Sequence, residues 1–373
     1  KVMTLISHLL TVGLILLLNH FQHTIMEGTT TKNTVELKLV QLGEEHFFKI
    51  SNSDVLRPFF MSIVSDSNHW MFISSNGGLS AGRKDADNAL FPYYTDDKIT
   101  ESAEITGSKS IFKIHKTGQS HIWEPFSDRF EGRYQISRNL YKNVYGNKII
   151  FEEENHDLEL IFRYEWSSSN LYGFVKRSTL INQANKEVRI SLLDGIQNVL
   201  PYGVKSDLQN QTSNLVDAYK RSELEKATGL GIYSLSAIIV DKAEPSEALK
   251  ANIAWSTGLE NPKHLLSSLQ LKNFREGKVI REEEDVKAEK GAYFVHKELL
   301  LSPESEKEWM IIADVNQNHS AITKISEAIR SDKQLDQVVK EDIAAGTRRL
   351  IELNAASDGL QLTSDYLRDT RHF

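Results

Sequence analysis

The sequence of 373 residues contains no cysteine. This absence excludes disulfide bonds, thiolate metal sites, iron–sulfur clusters and a cysteine nucleophile, although it does not fix the compartment. An excess of positive charge is also missing, because the net charge is -7 and Lys and Arg are not clustered as a nucleic-acid surface requires. The sequence has no G-x-G-x-x-G loop, no P-loop and no H-E-x-x-H pair. We therefore expect no nucleic-acid partner, no metal and no bound cofactor.

An uncharged apolar run occupies residues 9–18. It is shorter than the roughly 20 residues that a membrane-spanning helix needs. It is closer to the core of a signal peptide, but no A-x-A type cleavage site follows it. We therefore assign residues 1–25 to a signal-like or non-native segment outside the fold. The expected compartment is the cytoplasm, with the periplasm or a membrane association as the alternative if this segment is native.

From about residue 34 onward, apolar and polar residues alternate in a pattern typical of β-strands. One long run has its apolar residues on one side of a strand and its charged residues on the other: Leu158, Leu160, Phe162, Tyr164 and Trp166 against Glu159, Arg163 and Glu165. Further strand-like runs lie at 35–39, 111–115, 188–192, 232–240, 265–271, 292–301 and 309–315. Residues 217–227 have the pattern of a short inserted helix. Many strands without long helices between them predict a mainly β fold, a large antiparallel β-sandwich over residues 26–316.

The pattern changes to helical spacing in residues 317–373. Two helices are predicted at 320–330 and 333–354, and a third begins near residue 363. The second helix carries an apolar stripe of Leu335, Val338, Val339, Ile343 and Leu350. We expect a helical linker, truncated before a further domain, that packs only partly on the β domain and leaves apolar surface exposed.

The densest mixture of glycine, charged and aromatic residues lies at 76–99, and a second patch follows at 123–129. Glycines allow tight turns and close approach of the backbone. Sugars are bound by aromatic faces together with charged hydrogen-bonding groups, which these segments supply. The candidate contacts at the rim of a carbohydrate site are Arg83, Lys84, Asp85, Tyr93, Tyr94, Asp96, Asp97, Trp123 and Arg129. The alternative for each residue is hairpin closure, surface pairing or core packing.

Four segments in order resemble the N-terminal region of inverting disaccharide phosphorylases similar to cellobiose phosphorylase (glycoside hydrolase family 94). They are NGGLSAGRKDADNALFPYYTDDKI, HIWEPFSDRF, NLYKNVYGNKIIFEEENHDLEL and SLLDGIQNVLPYG. The resemblance covers residues from about 36 to the end. It implies a β-super-sandwich of the galactose mutarotase-like type, a helical linker and a missing (α/α)6 catalytic barrel. It also implies a homodimer, and inorganic phosphate as the co-substrate of the whole enzyme.

In the resembled family the general acid is an aspartate of the barrel, so no residue of this chain takes that role. Asp96 and Asp97 make a poor acid/base pair if they lie in a strand, since neighbouring side chains then point to opposite faces. The sequence therefore favours a non-catalytic carbohydrate-binding and assembly domain of a bacterial enzyme that acts on β-linked glucans or disaccharides. The alternatives are a structural module that makes only protein contacts and a self-contained glycosidase.

Overall fold

The computed structural model describes residues 34–116, 118–211, 213–236 and 250–356. The segment predicted at 1–25, the end of the strand-like run at 237–240 and the helix predicted near residue 363 lie outside the described residues. The described residues form a mainly β domain and then two helices. This arrangement confirms the predicted class of a large antiparallel β-sandwich with a helical tail.

In the part of the chain that the structure describes, three antiparallel sheets make up the β domain. In spatial order, the eleven-stranded sheet contains β1 (Glu36–Leu42), β2 (Glu45–Ser51), β9 (Ile136–Asn143), β10 (Ile149–Asn155), β11 (Leu160–Ser169), β12 (Gly173–Asn182), β20 (Glu306–Asn318), β16 (Lys250–Thr257), β15 (Leu230–Leu235), β14 (Lys220–Glu225) and β18 (Asp285–Lys287). The five-stranded sheet contains β17 (Lys263–Leu265), β19 (Gly291–Leu301), β13 (Val188–Val199), β7 (Gly107–Lys116) and β8 (Gln119–Trp123). The four-stranded sheet contains β3 (Phe60–Ile63), β4 (His69–Ser74), β5 (Leu79–Arg83) and β6 (Ala89–Phe91).

The main core fills the space between the eleven-stranded sheet and the two smaller sheets. Phe162, Tyr164 and Trp166 of β11 are at most 2% exposed and point into it, as the alternation predicts. Trp309 of β20 and Ile190 of β13 reach the same core from their own sheets. Burial of these large apolar side chains is the main force that holds the layers together.

Six helices lie around the sheets in the described residues. They are α1 (Asp96–Glu101), α2 (Ser206–Gln211), α3 (Ser213–Asp217), α4 (Leu271–Arg275), α5 (His319–Ser331) and α6 (Leu335–Ala355). Helices α5 and α6 match the two helices predicted in the tail. The last strand, β20, runs to Asn318 and so extends two residues beyond the predicted boundary at 316.

The apolar stripe of α6 is covered, so the prediction of an exposed apolar surface is wrong for the described residues. Leu335, Val339 and Ile343 are buried on the outer face of the eleven-stranded sheet, against Trp255 and Ile312. Alternating residues of a strand face opposite sides. The central strands are therefore apolar on both faces, and their outer face supplies the cover that the stripe needs.

Two predicted elements differ from the structure. Residues 217–227 contain the end of α3 and then β14, because β14 pairs with β15 on one side and with β18 on the other. Residues 265–271 contain the end of the short strand β17, a turn and the start of α4. In both places pairing with distant strands or turn formation outweighed the local pattern.

Among the described residues, no helix combines the length and the apolar character that crossing a membrane requires.

Candidate functional site

The glycine-rich segment builds the four-stranded sheet and the helix that covers its end. Residues 76–99 form the β4–β5 turn, β5, β6 and the start of α1. A Cβ atom at Gly78 would lie 2.0 Å from the carbonyl oxygen of Ile99. Only glycine therefore allows α1 to approach this turn, and the Asn76 side chain fixes the contact by donating to the carbonyl of Thr100. The close backbone approach expected from these glycines is present.

The register of β3, β4 and β5 separates the two faces of the sheet. Ile63, Met71 and Ala81 lie opposite one another and face the main core. Their neighbours Ser62, Phe72 and Ser80 are also directly opposite, so they form a row on the outer face. Phe60 and Trp70 belong to the same outer face by alternation along β3 and β4.

Four aromatic rings form a continuous row on this outer face. Phe60 stacks on Phe72 with 5.5 Å between ring centroids, and Phe72 lies 5.9 Å from Trp70. Trp70 meets Tyr93 edge to face at 5.5 Å. Trp70 is 7% exposed, Tyr93 is 41% exposed, and Phe60 and Phe72 are intermediate. We call Phe60, Phe72, Trp70 and Tyr93 the aromatic row.

The position of Trp70 is fixed on two sides. Its indole nitrogen donates to the carbonyl of Asp85 at 3.1 Å. A Cβ atom at Gly82 would lie 2.5 Å from the indole ring, so the ring fits because this position is glycine. Val204 and Val216, from the chain around α2 and α3, pack in one small cluster with Trp70. Trp70 is therefore held in place, and the chain around α2 and α3 packs beside it.

Two serine hydroxyls that flank Phe72 have no hydrogen-bond partner among the described residues. They belong to Ser62, which is 8% exposed, and to Ser80, which is 0% exposed. Buried polar groups are usually paired, so two unpaired ones on a single row are unusual. Ser80 also has the G-x-S-x-G spacing of a nucleophile elbow, in residues 78–82. That motif needs a strand-to-helix turn, whereas Ser80 lies inside β5.

Arg83 points to the opposite face of the sheet and is mostly buried. Its guanidinium donates to Nε2 of His69 at 3.0 Å, to Oδ2 of Asp314 at 3.1 Å and to the carbonyl of Asn170 at 2.9 Å. Since a guanidinium can only donate, Nε2 of His69 is the unprotonated ring nitrogen. Burial and the charge of Arg83 lower the pKa of His69 to about 3. Burial raises the pKa of Asp314 to about 6 against the opposing charge of Arg83. Arg83 thus joins β4, β20 and the β11–β12 turn.

The remaining predicted residues of the first segment have several different environments. Lys84 and Asp85 form the β5–β6 turn, where the Asp85 carboxylate accepts from the side chain of Asn88. The ammonium of Lys98 lies 5.7 Å from the ring centroid of Tyr94. Asp96 is the first residue of α1, and the exposed carboxylate of Asp97 accepts from Thr95 at 2.6 Å. Only Tyr93 of the predicted residues belongs to the aromatic row.

Trp123 belongs to the core rather than to a surface. It is 2% exposed, packs against Phe112, and donates from its indole nitrogen to Oε1 of Glu153 at 2.7 Å. Glu153 also accepts from the backbone N–H of Phe126 and from Arg138. These bonds fix the 123–126 segment. Because the ring of Trp123 is buried, it offers no accessible face to a sugar.

Glu124 is the centre of a charged cluster beside Trp123. The guanidinium of Arg275 donates to both carboxylate oxygens of Glu124 at 2.7 Å, and Lys109 donates to Oε1 at 3.1 Å. Lys109 also donates to Glu104 at 2.6 Å, and Arg129 lies 3.8 Å from Glu124 with half of its side chain exposed. Burial alone would raise the pKa of Glu104, but Lys109, together with Ser127 and Arg129, holds that pKa below its ordinary value.

A small cavity lies beside this cluster and is lined in part by Asn76, Lys109, Ser110, Phe126 and Tyr164. Its volume is about 10 Å³, which is room for about one water molecule. The cavity is therefore not a pocket for a sugar ring.

The sequence reasoning missed Phe60, Ser62, Trp70, Phe72 and Ser80. One signal was available. The run Trp70-Met71-Phe72-Ile73 is apolar at four consecutive positions, which is typical of a strand covered on both faces. Such a run predicts a second apolar face, but it does not predict that aromatic rings from β3 and from the residues after β6 join it.

The sequence matches no family model and none of the curated proteins. Solved structures with a similar arrangement include a bacterial glucoamylase complexed with acarbose, with a TM-score of 0.39 and 8% identity, over 88% of this chain and 40% of that one. A candidate kojibiose phosphorylase from the human microbiome has a TM-score of 0.37 and 10% identity, over 67% of this chain and 28% of that one. A candidate aldose 1-epimerase from Escherichia coli K12 has a TM-score of 0.36 and 10% identity, over 70% of this chain and 99% of that one.

All three TM-scores are below 0.5, so these likenesses identify neither a family nor an activity. The chain spans less than half of the length of the glucoamylase and of the phosphorylase candidate.

Proposed function

We propose that this chain is a non-catalytic carbohydrate-binding and assembly domain of a phosphorylase-like enzyme that acts on β-linked glucans or disaccharides. The catalytic barrel and the second copy of a homodimer are its proposed partners, and inorganic phosphate is the proposed co-substrate of the whole enzyme. The sequence resemblance to disaccharide phosphorylases supports the carbohydrate part of this proposal.

The proposal that the domain is non-catalytic rests on how one pair of carboxylates, Glu104 and Glu124, is bonded. Glu104 and Glu124 each bond to the ammonium of Lys109, at 2.6 and 3.1 Å, so their bonded oxygens are no further apart than these two distances together. This upper limit on the separation of the two oxygens is close to the roughly 5–5.5 Å between the carboxyl groups of retaining glycosidases. However, Glu124 is buried and its two oxygens are held by Arg275. A buried carboxylate whose two oxygens both accept from a guanidinium is not accessible as a nucleophile.

The structural module that makes only protein contacts is the second candidate. The burial of Trp123 and the inward direction of Arg83 favour it, because two predicted sugar contacts instead stabilise the fold. The two candidates differ in whether the isolated chain binds a sugar.

Turnover and binding are measured on the same purified chain. Cellobiose and cellotetraose are incubated with the chain, with and without inorganic phosphate, and titration calorimetry follows the binding of cellotetraose. We expect binding without phosphorolysis or hydrolysis. Turnover that disappears in a variant of this chain, such as Glu124→Gln, would establish a catalytic site and overturn the proposal. Absence of cellotetraose binding would favour the structural module.

A further inference from the structure

The outer face of the four-stranded sheet combines partly exposed rings with buried, unpaired hydroxyls. We propose that a neutral oligosaccharide binds along the aromatic row, with its pyranose rings on Phe60 and Tyr93 and its hydroxyls paired with Ser62 and Ser80 once the Phe72 ring has turned aside. This inference rests on the proposed carbohydrate-binding function and adds the site and the chemistry of its ligand.

The rings supply the apolar half of a sugar site. Pyranose rings present C–H groups on their faces, and flat aromatic side chains cover such faces with little loss of conformational entropy. The row continues through centroid separations of 5.5, 5.9 and 5.5 Å, so it is longer than one pyranose ring. None of the six residues named for this site carries a charge. The length favours an oligosaccharide, and the lack of charge favours a neutral one.

The serine hydroxyls supply the polar half. Ser62 and Ser80 lie directly across from Phe72 on the two neighbouring strands. A buried hydroxyl without a partner lowers the stability of the free chain, and a ligand hydroxyl that pairs with it recovers this free energy. Phe72 is the residue between the two serines, so binding is expected to turn its ring aside.

The surroundings hold Trp70 and Tyr93, at one end of the aromatic row, in fixed positions. Trp70 is held by the carbonyl of Asp85 and by the space at Gly82. The backbone N–H of Tyr93 donates to Oε1 of Gln209 at 2.9 Å, and Gln209 in turn donates to the carbonyl of Val204. Such prior positioning reduces the entropy that a ligand loses on binding.

Three substitutions test the site against a purely structural role. Cellotetraose affinity is measured by titration calorimetry for the whole chain and for the variants Ser80→Ala, Tyr93→Ala and Ser167→Ala. Ser167 is the matched control, because its hydroxyl is also buried and unpaired but lies in β11 of the eleven-stranded sheet. We expect Ser80→Ala to weaken binding about three- to tenfold through the lost hydrogen bond. Tyr93→Ala is expected to weaken binding by a similar factor through the lost ring contact.

Stability separates these effects from misfolding. Removal of an unpaired hydroxyl is expected to leave the melting temperature of Ser80→Ala unchanged or raise it. The inference is overturned if the chain binds cellotetraose and either Ser80→Ala or Tyr93→Ala binds it as tightly as the unmodified chain. It is also overturned if Ser167→Ala weakens binding as much as Ser80→Ala does. If the unmodified chain binds no sugar, the proposed function itself fails, which is a different outcome.

Discussion

The ammonium of Lys176 in β12 donates to the carboxylate of Asp194 in β13 at 2.5 Å, and neither side chain has exposed surface. The pair joins the eleven-stranded sheet to the five-stranded sheet across the main core. Asp194 also accepts from Ser110, Ser178 and the indole of Trp309. Burial lowers the pKa of Lys176, and the charge of Asp194 opposes this shift. The carboxylate is thus fully paired, and the two sheets have a fixed position relative to each other at this point.

Loss of one partner of this pair should be far more damaging than loss of both charges. Lys176→Met leaves a buried carboxylate without its cation and is expected to lower the free energy of unfolding by about 3–5 kcal/mol. Adding Asp194→Asn removes that charge, keeps an acceptor oxygen for Ser178 and Trp309, and places an amide N–H group that can donate to the hydroxyl of Ser110. The double variant is therefore expected to be more stable than Lys176→Met alone, as measured by urea denaturation.

Lys226 and Glu284 provide the control, since both side chains are more than half exposed. Lys226→Met is expected to change the free energy of unfolding by less than about 1 kcal/mol. If the losses in the free energy of unfolding from Lys176→Met and Asp194→Asn simply added in the double variant, the two side chains would not depend on each other, which would contradict this prediction.

The pH dependence of stability should reveal His69. Its pKa is lowered in the fold to about 3, so the neutral form is the one the fold favours. The contribution of neutral His69 to the free energy of unfolding is complete above the unfolded pKa near 6.5, and it is lost as the pH falls toward 3. Asp314 acts in the opposite direction. Its raised pKa of about 6 gives stability that is complete below the unfolded value near 3.8 and is lost as the pH rises through 6.

His69→Gln keeps an acceptor for Arg83 but cannot take up a proton. Between pH 6.5 and 4.5, the unmodified chain should lose about 2–3 kcal/mol relative to this variant. Urea denaturation at the two pH values measures the difference. Parallel stability curves for the two proteins would show that His69 is protonated as easily in the fold as in the unfolded chain.

The covered stripe of α6 predicts a contrast between two leucines of the same helix. Leu335 is 5% exposed against the large sheet, whereas Leu353 is 59% exposed. Leu335→Ala is expected to lower the free energy of unfolding by about 2–5 kcal/mol through lost burial and a cavity. Leu353→Ala is expected to change it by no more than about 0.5 kcal/mol. Equal effects in thermal unfolding would show that α6 does not pack on the sheet.

Replacement by alanine should have different effects at two glycines, Gly78 and Gly43. A Cβ atom there would meet the carbonyl of Ile99 at 2.0 Å, so α1 or the β4–β5 turn has to move. Gly78→Ala is expected to lower the free energy of unfolding by about 3 kcal/mol. Gly43 has φ near +60° and no atom near the position of an added Cβ. Gly43→Ala should therefore cost only about 1–2 kcal/mol of backbone strain, and a milder effect at Gly78 than at Gly43 would contradict this packing.

The sequence alone determined the strands and the helices wherever one residue pattern persisted over many positions. The alternation through Phe162, Tyr164 and Trp166 requires one buried face, and the structure buries these three side chains between the sheets. The helical spacing of Leu335, Val339 and Ile343 requires a helix with one covered side, which α6 provides. These features depend on periodicity, which a single sequence contains.

Only the tertiary structure decided which surfaces meet. The glycine-rich segment could be recognised as a place of close backbone approach, but the inward direction of Arg83 depends on Asp314, 231 positions away. Trp123 is buried in the main core with its indole N–H paired to Glu153, and the stripe of α6 is covered because the large sheet has a second apolar face. The aromatic row brings together rings from β3, β4 and the residues after β6. Each of these outcomes depends on contacts between distant parts of the chain, and such contacts have no local period that a sequence could display.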